Sequence, residues 1–72
     1  MENEVRKRLI ASFPEAEIAI DFADGKHMTL EIQAKEFSGK TLLEQHGMVN
    51  AVLADLFADG SLHALKLKTR IK

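Results

Sequence analysis

Apolar positions along the chain switch between two rhythms. From Glu2 to Phe13 the residues Val5, Leu9, Ile10 and Phe13 recur at the spacing of one helix face. Glu2 and Glu4 come early and Arg6, Lys7 and Arg8 later, the order that suits the helix dipole. Pro14 stops this helix because it lacks an N–H and pushes Phe13 out of helical geometry. The period then changes to two. In "EAEIAIDF" Ala16, Ile18, Ile20 and Phe22 alternate with Glu17, Ala19 and Asp21, and in "HMTLEIQA" Met28, Leu30, Ile32 and Ala34 alternate with His27, Thr29, Glu31 and Gln33. Each reads as a half-buried strand. Asp24-Gly25 between them predicts a tight antiparallel hairpin with His27 at its turn.

After "KEFSGK" a short helical piece, Thr41 to Gln45, leads through Gly47 into a better helix. There Val49, Val52, Leu53 and Leu56 form an apolar stripe with Phe57 beside it. Ser38 is the expected N-cap, with Gly39 easing the turn, and Asp59-Gly60 the expected close. Residues 62 to 71 form the third strand. Its parity puts His63, Leu65, Leu67, Thr69 and Ile71 on one side, and Leu62, Ala64, Lys66, Lys68, Arg70 and Lys72 on the other, so that His63 begins on the core side. The order is αββααβ. Strands with one apolar face demand all helices on that face, which makes an α+β two-layer sandwich on a three-stranded sheet.

The chain has 72 residues, enough for one domain over 1–72 and one shared core. It has no Cys, which excludes disulfides and any thiolate metal site built from this chain alone. Its net charge of −1 gives no general pull toward nucleic acid or membranes. No apolar run approaches the roughly 20 residues of a membrane span, and the acidic opening is unlike a signal peptide, so a cytoplasmic protein is expected.

Three features bear on chemistry. "SGKT" at 38–41 ends like a phosphate loop, but the first glycine of that motif falls on Ala34, so nucleotide binding is disfavoured. Lys66, Lys68, Arg70 and Lys72 make a basic stripe able to track a nucleic-acid backbone. Glu17, Asp21 and Glu31 share that face and oppose it, and the chain has no Trp or Tyr for base stacking. His27, His46 and His63 lack the short local spacings of zinc motifs, and read alone each suits an ordinary packed or surface histidine. No nucleophile and base are placed to make an enzyme.

Phe37-Ser38-Gly39, "QHGMV" at 45–49 and "LHALKLKT" at 62–69 together resemble the BolA family's phenylalanine-x-glycine, arginine-histidine-arginine-x-valine and histidine-alanine-leucine signatures. The resemblance spans nearly the whole chain. It departs at Gln45 and Gly47, which replace the two arginines, and at Asn50, where an aromatic is frequent. The customary threonine-x-threonine-proline tail does not follow, which bears on the shielding of His63.

The resemblance implies a fold similar to a type II KH domain with the third strand parallel to the second. It also implies a non-enzymatic partner of monothiol glutaredoxins around a shared [2Fe–2S] cluster, in iron–sulfur trafficking or iron regulation, and some family members are described as transcription regulators. On this resemblance the ligand histidine falls on His63 and the second ligand on His27. Glutaredoxin and glutathione thiols supply the rest, with no cofactor on the isolated chain. Phe37 and Gly39 are expected partner contacts, and His46 is expected to be structural at the helix pair and a further candidate for that interface. The alternative it implies is a DNA- or RNA-binding regulator using Lys66, Lys68, Arg70 and Lys72, although the GXXG loop of KH modules is missing. Whether the chain forms a homodimer the sequence leaves open.

Overall fold

The computed structural model describes residues 1–22 and 27–72, so the Asp24-Gly25 turn lies outside the described residues. Helix α1 covers Glu2–Ser12, strand β1 Glu17–Asp21 and strand β2 His27–Ala34. A 3-10 turn at Lys35–Phe37, helix α2 at Leu42–Ala58 and strand β3 at Ala64–Ile71 follow. The strands lie in the order β1-β2-β3. β1 runs antiparallel to β2, from Glu17 opposite Gln33 to Asp21 opposite Thr29. β3 runs parallel to β2, from His27 opposite Ala64 to Ala34 opposite Ile71. The mixed sheet and two-layer α+β class stand as the sequence reading has them.

Period-two alternation on β2 becomes full burial. Met28, Leu30, Ile32 and Ala34 all sit in the core, joined by Val5, Leu9 and Phe13 before β1 and by Val49, Leu53, Leu56 and Leu62 between β2 and β3. The flanking strands are edges, and their inward residues Ile18, Ile20, Leu65 and Leu67 are only half-buried. Phe37 on the 3-10 turn is wholly buried and meets Phe13 with ring centroids 5.4 Å apart and planes tilted by 55°. That contact fastens the end of α1 to the exit of β2 and has the tilted geometry that aromatic quadrupoles favour.

Two helical pieces were expected in the middle of the chain, and the structure has one. α2 runs unbroken through Gly47 for 17 residues. A glycine in a helix interior costs only about 1 kcal/mol relative to alanine, less than the apolar stripe and a strong N-terminus return. That N-terminus is Thr41, not Ser38. The Glu44 backbone N–H donates to Thr41 Oγ1 at 3.1 Å, and the Thr41 backbone N–H donates to Glu44 Oε1 at 2.8 Å, a reciprocal capping box. Ser38 instead closes the 3-10 turn, and Gly39 at φ +77° turns the chain toward Thr41.

The predicted parity of the third strand holds from Leu65 to Arg70 but does not reach back to Leu62 and His63. Gly60 takes φ +81° just past α2, and the Leu62 N–H then donates to the Leu56 carbonyl at 3.0 Å. Leu62 thereby belongs to the helix-ending turn and is buried, while His63 precedes the strand and is exposed. No helix among the described residues is long and apolar enough to cross a membrane.

Candidate functional site

Parallel pairing of β2 and β3 gathers the starts of both strands at one end of the sheet. His27 opens β2 opposite Ala64, and His63 is the residue just before Ala64. With neighbouring strands about 4.8 Å apart and successive Cα atoms about 3.8 Å apart, the two histidine Cα atoms lie within roughly 9 Å of each other. Both residues are exposed. His27 is on the open face of the sheet, since its neighbour Met28 enters the core.

The backbone around His63 is held on both sides. Leu62 before it is buried and hydrogen-bonded to Leu56, and Ala64 after it is paired into the sheet. Asp59 braces the same turn by accepting the Ser61 N–H at 2.8 Å. The Ser61 hydroxyl and then its backbone N–H keep the Asp59 carboxylate below its usual range. The imidazole itself makes no hydrogen bond or ion pair among the described residues. An exposed donor on a clamped backbone is the arrangement that a ligating side chain needs.

His46 stands apart. It is half-buried near the start of α2, whereas His63 follows the end of that helix. At 1.5 Å of rise per residue the separation along the axis is roughly 15–20 Å, so the three histidines do not converge. No group of three or more His, Cys, Asp or Glu able to hold a metal ion occurs among the described residues. Phe37, expected at a partner surface, lies wholly in the core, while neighbouring Gly39 is exposed.

The far end of the sheet is tied by Gln45. This side chain is only 7% exposed. Its Nε2 donates to the Lys40 carbonyl at 3.0 Å, and Thr69 Oγ1 donates to its Oε1 at 2.6 Å. Where the BolA signature carries an arginine, this chain therefore uses a neutral amide to join α2 to β3.

On the open face Lys66, Lys68 and Arg70 are exposed at alternate positions of β3. Their rows across the sheet are Asp21, Thr29 and Lys66, then Ala19, Glu31 and Lys68, then Glu17, Gln33 and Arg70. Glu17, Glu31, Lys68 and Arg70 line a shallow open depression of about 270 Å³. None of the three cations closes an ion pair with these carboxylates among the described residues. Lys72 leaves the stripe, because its backbone N–H donates to the Ala34 carbonyl and its Nζ to the Glu15 carbonyl.

Residues 6–72 match the family model of BolA-like proteins. The chain belongs to the BolA family. A Rickettsia prowazekii protein, RP812, is 35% identical over 68 residues, spanning 92% of this chain and 87% of that protein. Its solution structure, described as BolA-like, superposes with a TM-score of 0.75 over 100% of this chain and 95% of the other. BolA1 from Arabidopsis thaliana superposes with a TM-score of 0.84 at 27% identity, over 96% of this chain and 88% of the other. The BolA domain of SufE1 from the same plant reaches 0.87 at 23% identity with the same coverage, a likeness of fold.

Proposed function

We propose that this BolA-family chain is a non-enzymatic cytoplasmic adaptor that binds a monothiol glutaredoxin and co-ligates a bridging [2Fe–2S] cluster through His63 and His27, serving cluster trafficking or iron regulation. The observation that carries the reading is the pair of exposed histidines at one end of adjacent parallel strands. The donor set fits the group. A [2Fe–2S] cluster takes four protein or thiol ligands, and imidazoles can replace thiolates at one iron. The chain has no Cys, so a glutaredoxin cysteine and a glutathione thiol would complete the set.

Within that assembly the cluster supplies a transferable iron–sulfur unit. The chain's own residues do the positioning. Leu62 and Ala64 hold the His63 backbone, and β2 pairing holds His27 beside it. Nucleic-acid binding is the weaker reading. Lys72 is engaged at Glu15, which leaves a stripe of three cations able to release counterions from phosphates, Glu31 stands beside Lys68 in its row, and the chain has no Trp or Tyr for base stacking.

Anaerobic reconstitution with a monothiol glutaredoxin and glutathione tests the proposal by visible absorption and circular dichroism. His63→Ala should make the cluster labile or change its spectrum, and His27→Ala should do so more mildly. An unchanged spectrum and lifetime in the double variant refutes the ligand assignment.

A further inference from the structure

The two edges of the sheet are not equivalent. β1 is five residues long, and its Ile18 carbonyl accepts a hydrogen bond from Arg6 Nη1 at 3.0 Å. A side chain from α1 thus occupies that edge. β3 is eight residues long, and no side chain among the described residues hydrogen-bonds its backbone. Alternate N–H and C=O groups along an outer strand point away from the sheet, so β3 offers an unpaired ladder from Ala64 to Ile71.

Side chains on this edge specify what would fit it. On the helix side Leu65 and Leu67 are half-buried and Ile71 is 51% exposed, so the helix layer leaves an apolar shelf beside the strand. On the open side Lys66, Lys68 and Arg70 have no ion-pair partner among the described residues. Lysines on an edge ordinarily discourage pairing with a copy of the same chain. Here any β3-to-β3 pairing that keeps both sets of helices on one face sets cations opposite cations, which is repulsive. A strand with the opposite charge meets no such barrier.

We infer that β3 is a docking edge for an extended peptide segment of a partner protein, one that alternates acidic with apolar residues. The added strand pairs with the outer ladder of β3, sets its carboxylates beside Lys66, Lys68 and Arg70, and lays its apolar side chains against Leu65, Leu67 and Ile71. Backbone pairing gives the affinity and the alternating pattern gives the selectivity. This inference does not rest on His27, His63 or a cluster.

The probe is an acetylated, amidated eight-residue peptide of alternating glutamate and valine, titrated into the ¹⁵N-labelled chain. Shift changes should follow residues 64–71, and the outward amides of β3 should gain protection from hydrogen exchange on saturation. The same peptide N-methylated at every residue keeps its charge but loses both rows of donors, and should bind at least tenfold more weakly. A lysine–valine peptide should not bind. Lys66→Glu, Lys68→Glu and Arg70→Glu together should reverse the preference between the two peptides, and thermal melts of that variant establish that it remains folded.

Equal binding of the N-methylated peptide would overturn the inference, as it would show adsorption by charge alone. So would tighter binding of an oligonucleotide at β3 at the same ionic strength, or a concentration-dependent dimer whose interface maps to β3.

Discussion

The two ends of the β2–β3 pair are built on opposite principles. At the end where the strands finish, polar and apolar groups are consumed by structure. Gln45 bridges Lys40 and Thr69, Thr41 and Glu44 cap each other, Phe37 is wholly buried, and Lys72 pairs with Ala34. At the end where the strands begin, the backbone is held just as firmly around Leu62 and Ala64, yet His27 and His63 are exposed. Held backbone with buried or bonded side chains marks one end, and held backbone with exposed imidazoles marks the other.

Substitutions sharpen that contrast, beginning with the largest effect. Phe37→Ala should cost about 3–5 kcal/mol, the range for removing a buried aromatic ring and leaving a cavity, and denaturant unfolding should show it as a large drop in midpoint. Gln45→Ala should cost about 1–3 kcal/mol, because the Lys40 carbonyl and Thr69 hydroxyl lose their partner in a part-buried setting. Equilibrium unfolding measures that cost, and a value near zero would mean that water replaces the amide freely.

Thr41→Ala should cost about 1 kcal/mol as a lost N-cap, and its effect should depend on pH. The Glu44 carboxylate is held below its ordinary range, first by the Thr41 backbone N–H and then by the Thr41 side chain. A depressed carboxylate contributes stability that is present above its ordinary pKa and is lost as pH falls through the lowered one. Thermal melts from neutral to strongly acidic pH should therefore show the gap between Thr41→Ala and the parent narrowing only in acid. His63→Ala should be the smallest of the four, within about 0.5 kcal/mol, as for an exposed surface position. A large loss of melting temperature in that variant would erase the difference between the two ends.

Much of this was legible in the residues. Period-two alternation located β1 and β2 and assigned their buried faces correctly, because a strand covered on one side must alternate. The exit of α2 was legible through Gly60, whose left-handed φ a glycine adopts without strain. Gly47 misled, since a break and a tolerated interior glycine look alike until the strength of the flanking helix is known. The correct cap did have a signal, the Thr41-x-x-Glu44 spacing, which "SGKT" obscured. Leu62 was assigned to the open face, and His63 to the run of the strand, for a different reason. Alternation was extended two residues too far, into a segment whose Leu62 N–H belongs to the end of α2. The proximity of His27 and His63 was not readable from periodicity at all, because nothing local states that β3 runs parallel to β2.

That parallel pairing also bears on the order in which the molecule assembles. In the hairpin, partners are separated by 8 residues at Asp21 and Thr29 (29 − 21) and by 16 at Glu17 and Gln33 (33 − 17), so the pair can zip outward from its short end. Between β2 and β3 the separation is 37 residues at both ends of the register (64 − 27 and 71 − 34). No pair in that ladder is cheaper to close than another, and the loop-closure entropy must be met in a single step before any contact repays it. Arrival of β3 is therefore expected to be the slow, all-or-none event of folding, and the two histidines become neighbours only when it is complete.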